Sequence, residues 1–522
     1  MLQTKYLYFL FLFVFAFTLN WFSGNTGVIP IDTFGFFDTG YSILKNNLPI
    51  KDVWIHTGLV VDYIQSVFFL LLGNSWNSYL AHSSIFNAVT ALVFYLFLTT
   101  LKISKNYSLI YALSFSILAY PVIGTPFAYL HAYLLCVVSL ICLSSAINSE
   151  KFKLWILIPI LLFFAFFSMQ TPSAYIVLLV GFFGLVYLIN SKKYIVIKYI
   201  IFGIIISLII FVIFLYLTDT SLRDLVYQYF LFPLSIGESR LKSEIGAYVK
   251  LQDQLNLKRI FGEFKFIYFF LIPLIILNLV KFKKKKIDKI FLISLLFILS
   301  TIIFIFNQLT QANQIYIFSL IPILAAILHI NLIEIGKKKY VMFFLLILVF
   351  VSIKYHHRYN VERKFIDLEN INKASYINAI DIHEKLKGLK WVTGFSNPSD
   401  DKKLLKLALE TIRSDNSNIL IITHYQFFLT LLNDKNNINI LNRWYIWDNN
   451  SHPTENHELF DYYQAFATKK FKDKKIKTIY LVGNNEEFTF ENIKNYFVGM
   501  CFETKNIVEN RLLKLSLIQC NN

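Results

Sequence analysis

Long apolar runs recur along this chain, each close to the length of a membrane crossing and each separated from the next by a short polar turn. Residues 6–22, 79–101, 107–123, 127–147, 154–169, 174–189, 194–217, 264–280, 290–306, 315–333 and 341–353 predict eleven spanning helices. The run 59–72 is apolar but shorter, and it carries Asp62 and Gln65, which predicts a helix lying along the interface. The lysines decide that choice. If 59–72 does not cross, Lys102, Lys105, Lys151, Lys153, Lys192, Lys193 and the clusters at 281–286 and 337–339 share one side, the cytoplasmic side by the positive-inside rule. The N-terminus then lies on that side too, since 6–22 lacks a small-x-small cleavage site and reads as a retained span. Residues 23–78, 120–126, 170–173, 218–263, 307–314 and the whole tail after 354 face outward together.

The tail has another pattern. Short apolar runs at 390–393, 418–423, 438–441 and 478–482 predict buried strands, with helical stretches such as 402–413 and 458–470 between them. Strands alternating with helices predict a small α/β unit with a partly parallel sheet. Residues 502–508 and 512–519 predict a closing hairpin that turns near Asn510 and sets Cys501 almost opposite Cys520. A disulfide there and two unpaired thiols both fit. The chain therefore divides into a polytopic helical membrane part, 1–354, and an extracytoplasmic α/β part, 355–522.

Composition supports the membrane class. Hydrophobic residues make up 56% of the 522 and aromatics 17%, more than a soluble domain of this size can bury. The net charge of +17 does not point to nucleic acid, because the lysines cluster between spans and no basic stripe accompanies them. Cys136 and Cys142 fall inside an apolar run and read as inert. The Phe-, Ile-, Lys- and Asn-heavy usage is compatible with a low-GC bacterium, whose plasma membrane would be the host.

The richest polar chemistry lies at 29–58, which carries Asp32, Asp38 and Asp52 among aromatics. Asp38 sits between Phe36–Phe37 and Gly40–Tyr41, with little charge close in sequence. A carboxylate held out of bulk water there has its pKa raised and serves as a general base. The alternative is that Asp32 and Asp38 are helix caps in a solvated loop. The spacing is not an Asp-x-Asp metal pair, so a divalent ion is possible but not indicated. The long outer segment 218–263 balances six basic against six acidic residues, unlike the lysine-rich turns. Arg240 and Lys242 there suit phosphate binding, with Arg223 as a third candidate, or they pair with Glu238 and Glu244. His82 and His131 read as helix–helix hydrogen-bonding residues. Gln311 and Gln314 suit sugar hydroxyls or plain solvation.

The segment Asp38-Thr-Gly-Tyr41, then Leu48-Pro49, Lys51-Asp52-Val-Trp54 and Asp62-Tyr63 resembles the first outer loop of the C-type membrane glycosyltransferases. The similar branch is that of the protein O-mannosyltransferases and lipid A aminoarabinose transferases. Thr39 stands where that pattern has a second acid and Ile50 where it has an aromatic. His56-Thr57-Gly58 stands where many relatives have Lys-Pro-Pro, which removes a lysine contact to the donor phosphate. The resemblance covers about residues 5–105, and the rest by architecture alone.

What the resemblance implies is a sugar transferred from a polyprenyl-phosphate donor to a lipid, polysaccharide or protein acceptor in the cell envelope, with inversion and no cofactor. Asp38 would be the base, with Asp32 beside it. Tyr41, Asp52, Trp54, His56, Asp62, Arg223, Arg240 and Lys242 would frame the substrates. Two other classes use the same architecture. A lipid-linked saccharide transporter would carry intramembrane charges and duplicated halves, of which few signs exist here. An O-antigen polymerase or ligase would depend on arginine and histidine in its later outer loops.

Overall fold

The structure is a computed structural model that describes residues 2–244, 247, 249–311, 315–365, 368–394, 396–445, 450–483 and 488–520. Gln314 lies outside the described residues. Among them, eight helices are long and apolar enough to cross a membrane: Tyr6–Gly24, Trp76–Thr100, Ala128–Ser149, Gln170–Ser191, Ile195–Thr218, Lys265–Lys283, Lys289–Gln311 and Lys339–Val361. Leu59–Leu72, Leu154–Ser168 and Leu320–Glu334 are apolar but shorter.

Two expected spans end early. The helix Lys105–Leu118 stops before residue 123: Ala119 leaves helical backbone at ψ −98, Pro121 has no N–H to donate to the fourth residue back, and Gly124 turns the chain at φ +82. The helix expected over 315–333 begins only at Leu320. Leu59–Leu72 is bounded by glycines at positive φ, Gly58 and Gly73. It buries Leu59, Val61, Asp62, Gln65, Ser66 and Phe69 on one side, while Leu70 and Leu71 stand 70% and 73% exposed on the other. Its burial is thus one-sided, with an apolar flank left uncovered.

The lysine-rich turns gather at one end of the bundle. Glu150 bonds both Lys193 (2.6 Å) and Lys289 (2.8 Å), and Glu334 bonds both Lys281 (2.6 Å) and Lys286 (2.5 Å). Inside the bundle His82 and His131 do join helices: their Nε2 atoms meet at 2.9 Å, with Gln65 on the far nitrogen of His82 and the Tyr120 hydroxyl on that of His131.

The tail opens with two small antiparallel pairs, β1 (Arg363–Lys364) with β2 (Leu368–Glu369) and β3 (Ile377–Asn378) with β4 (Lys390–Trp391). The strand expected over 390–393 is thus two residues long and outside the main sheet. That sheet comprises β5 (Ile419–Thr423), β6 (Ile438–Ile440), β7 (Thr478–Val482), β8 (Cys501–Val508) and β9 (Leu512–Ile518), in the order β6-β5-β7-β9-β8. β5 runs parallel to β6 and β7, and the β8–β9 hairpin is antiparallel, with Asn510 at φ +54 in its turn. Cys501 and Cys520 are disulfide-bonded across its open end. Both faces of β5 are covered, which is why it reads as an unbroken apolar run. Ile419 and Ile421 pack with the helix Pro398–Ser414, and Leu420 and Ile422 with the helix Phe460–Asp473.

The loop after the first long helix belongs to this tail as much as to the bundle. Phe34, Phe36, Phe37 and Tyr41 share a core with Trp391, Phe427 and Ile421. The Val28 N–H donates to the Val392 carbonyl (2.7 Å) and the Trp54 N–H to that of Leu441 (2.8 Å).

Candidate functional site

In open α/β sheets, binding groups collect just beyond the carboxyl ends of parallel strands. Here those ends, after β5 and β6, are occupied by the chain's own first loop. Past β5 the short helix Phe428–Leu431 begins at Phe427, whose side chain makes no cap. Asp38 supplies the cap from the other end of the sequence: its carboxylate accepts from the N–H groups of Leu429 (3.1 Å) and Thr430 (2.8 Å) and from the Thr430 hydroxyl (2.7 Å). Lys385 holds the opposite end of the same turn, donating to the carbonyls of Thr430 and Leu431. Asp38 is 1% exposed. Burial pushes its carboxyl up to about 7, against the lowering effect of the Thr430 and Leu429 hydrogen bonds and of Lys385.

Past β6 comes Arg443. Its guanidinium meets Asp62 two-pronged, Nη1 to Oδ1 at 2.9 Å and Nη2 to Oδ2 at 2.5 Å, with both side chains almost wholly buried. The same guanidinium donates to the Thr57 carbonyl (2.8 Å) and lies 4.1 Å over the Phe36 ring, and the Thr39 hydroxyl donates to Asp62. Thr39, in the place of a second acid, thus serves the Asp62 carboxylate.

Next to this pair, the His56 ring sits edge-on between Phe232 and Trp444, 5.2 Å from each. Its carbonyl accepts from Gln170 (2.8 Å). Burial, then the positive charges of Arg443 and Arg240 and the neighbouring His452, hold its imidazole down to about 3, so it is neutral. Arg240 reaches Gln311 (3.0 Å) and Asn450 (2.8 Å), partners other than the Glu238 and Glu244 expected from spacing.

Asp38, Thr39, Asp62, Thr57, His56 and Arg443 therefore form one continuous buried seam, with the half-buried Arg240 close enough for its charge to act on His56. The other expected site residues lie around or outside it. Trp54 is buried among Phe232, Tyr463 and Phe466. Asp52 accepts from the Leu48 N–H, closing its own turn, and stands 3.8 Å from Lys474. Tyr41 packs on Phe69, with the Lys45 ammonium 5.8 Å above its ring. Asp32 is half-buried in the short helix Pro30–Thr33. Lys242 pairs with Glu238 (2.5 Å) on the surface, and Arg223 lies 5.5 Å from Tyr227 and 6.0 Å from Tyr462. No His, Cys, Asp and Glu cluster suited to a metal ion occurs among the described residues.

Arg443 and Thr430 escape a reading of the sequence, since both sit in short loops far from the residues they bind. One signal was present: Arg443 follows closely on the buried parallel strand β6, and Thr430 lies in the connection that leaves β5, where such sheets place their polar contacts. No protein-family model matches this chain, and no curated protein is similar to it.

Proposed function

We propose that the protein is an integral-membrane glycosyltransferase that moves a sugar from a polyprenyl-phosphate donor to an envelope acceptor on the outer side of a bacterial plasma membrane. The observation that carries this reading is Asp38, a first-loop carboxyl whose proton affinity burial lifts to about 7, the range a general base needs near neutral pH. The Phe428–Leu431 turn covers Asp38, so the acceptor reaches the carboxyl only once that turn is displaced. Asp38 takes the proton of the acceptor hydroxyl or amine, which attacks the anomeric carbon. The bond from that carbon to the phosphate oxygen breaks, and polyprenyl phosphate leaves with the electron pair. The neutral His56, on the same seam, and Arg240 beside it donate hydrogen bonds to the departing phosphate.

Mass analysis of lipid A, surface polysaccharide and glycoproteins from a strain lacking the gene identifies the product. Transfer is then measured in proteoliposomes. Asp38→Asn keeps one acceptor oxygen, for the Thr430 N–H and hydroxyl, and loses the one that accepts from Leu429, so protease resistance of the tail is checked alongside the loss of the base. Transfer is expected to fall by about 100-fold or more. Full activity in that variant overturns the base assignment.

The His56 ring has no hydrogen-bond partner among the described residues, which favours a second reading: a polymerase or ligase that uses His56 and the arginines on a lipid-linked saccharide. Under that reading His56→Gln abolishes product and Asp38→Asn does not.

A further inference from the structure

Leu222–Val226, Tyr227–Leu231 and Phe232–Lys242 run on as one helix, with a π turn in its middle and helical backbone at every junction. One side of it is packed. Tyr229 and Phe232 are fully buried, the Tyr229 hydroxyl donates to the Phe167 carbonyl (2.6 Å), Tyr227 stacks on Tyr462 of the tail, and the Ser235 hydroxyl meets His457 of the tail at 2.8 Å. The opposite side is apolar and uncovered. Phe230, Leu234 and Leu241 recur at helical spacing and stand 41%, 66% and 53% exposed, with open space over Gly237 between them. Leu257 and Phe261, on the later short helix Leu257–Gly262, are likewise apolar and exposed, at 75% and 57%.

Two observations identify what covers this stripe. The helix starts just after Ile195–Thr218, a helix apolar almost all round whose last residues Tyr216 and Leu217 are 84% and 73% exposed. Beyond the stripe, past the short helices Leu251–Gln254 and Leu257–Gly262, comes Lys265–Lys283, which also exposes its apolar flank at Ile272 and Ile276. The stripe is thus tethered at both ends to surfaces that face hydrocarbon. It also lies on the side away from the tail, and the exposed Lys242–Glu238 pair and Arg223 flank it as headgroup-facing charges do.

We propose that the 222–242 helix is a membrane-surface helix, its Phe230–Leu234–Leu241 stripe sunk into the outer leaflet and its back carrying the tail. Arg240 then stands at the depth of lipid headgroups. The inference rests on exposure and connectivity and holds whatever group the protein transfers.

The test uses the full chain in vesicles of phosphatidylethanolamine and phosphatidylglycerol, with a fluorophore on Leu234→Cys or Leu241→Cys. Lys403→Cys, on the exposed flank of the tail helix Pro398–Ser414, is the aqueous control. Doxyl-labelled lipid is expected to quench the two stripe positions about threefold more than the control, and aqueous iodide the reverse. Iodide quenching equal to that of Lys403→Cys overturns the proposal. Protection from both quenchers also overturns it, since it means that a second copy or another protein covers the stripe.

Discussion

Asp62 and Arg443 stand 381 residues apart in the chain, yet they form a two-pronged ion pair with almost no exposure. Asp62 comes from the helix along the bundle flank and Arg443 from the end of β6, so the pair fastens the tail to the membrane part. Removing one partner leaves the other buried and charged, at a cost of about 3–5 kcal/mol. Arg443→Met is therefore expected to lower the melting temperature sharply and expose the tail to protease. Asp62→Leu combined with Arg443→Met is expected to regain most of that loss, because neither charge then remains. A double variant as unstable as the single one contradicts this.

Asp38 has a different signature, in pH. In the folded protein it holds its proton up to about 7, whereas an ordinary carboxyl releases it at 3.8. Between those values the folded state binds more protons than the unfolded chain, so the contribution of Asp38 to stability falls as pH rises through this window and is level above it. The buried His56 and His452, both held down to about 3, act in the opposite sense below their ordinary 6.5, so the test is a difference. Melting temperatures of Asp38→Asn minus the unaltered protein are expected to rise from pH 4 to 7 and then flatten.

How legible was this in the sequence? β5 and β7 stood out because burial on both faces makes a strand uniformly apolar, and the hairpin because Asn510 tolerates the left-handed turn it occupies. The span boundaries near Pro121 and before Leu320 were less clear, because apolar composition continues past the point where the backbone leaves the helix. The docking of the first loop left no local trace. Asp38 does cap a helix, but that helix begins far along the chain, beside a Phe427 that looks like core. Arg240 shows the same limit: acids at helical spacing were within reach, yet its bonds run to Gln311 and Asn450, brought in by tertiary packing.

Lys364 is a second fastener. It is 1% exposed, and its ammonium reaches the Ser23 carbonyl (2.5 Å), the Ser23 hydroxyl (2.6 Å) and the Pro121 carbonyl (3.2 Å), just where Gly24 and Gly124 touch backbone to backbone. Burial pulls its pKa down to about 7 from 10.5. From 7 to 10.5 the unfolded chain binds more protons, so stability rises with pH across that range. Lys470, also lowered to about 7 by burial, adds to the same rise. Lys364→Met is expected to remove its share and to leave the Ser23 carbonyl without its ammonium donor, the Pro121 carbonyl keeping the Ser23 hydroxyl, a loss of about 1–3 kcal/mol at neutral pH. Melting curves from pH 7 to 10 check both effects. A slope identical to the unaltered protein contradicts the first.

The disulfide between Cys501 and Cys520 reports on topology. It closes a loop with a sequence separation of 19, for which chain entropy predicts about 3 kcal/mol of stabilisation of the hairpin. Such a bond persists only where the surroundings are oxidising, so its presence in cells requires the tail to lie outside the cytoplasm. Cys136 and Cys142 are buried within the bundle and do not compete for it. Protein taken from membranes under thiol-blocking conditions is expected to show the 501–520 cross-link by peptide mass. In the Cys501→Ser, Cys520→Ser variant, β8 is expected to exchange its amide hydrogens faster, while β7 and β9, zipped to the sheet along their length, stay protected. Recovery of both cysteines as blocked thiols from native membranes means that the tail faces the lysine-rich side, and the outward assignment of the first loop, the 222–242 helix and Asp38 falls with it.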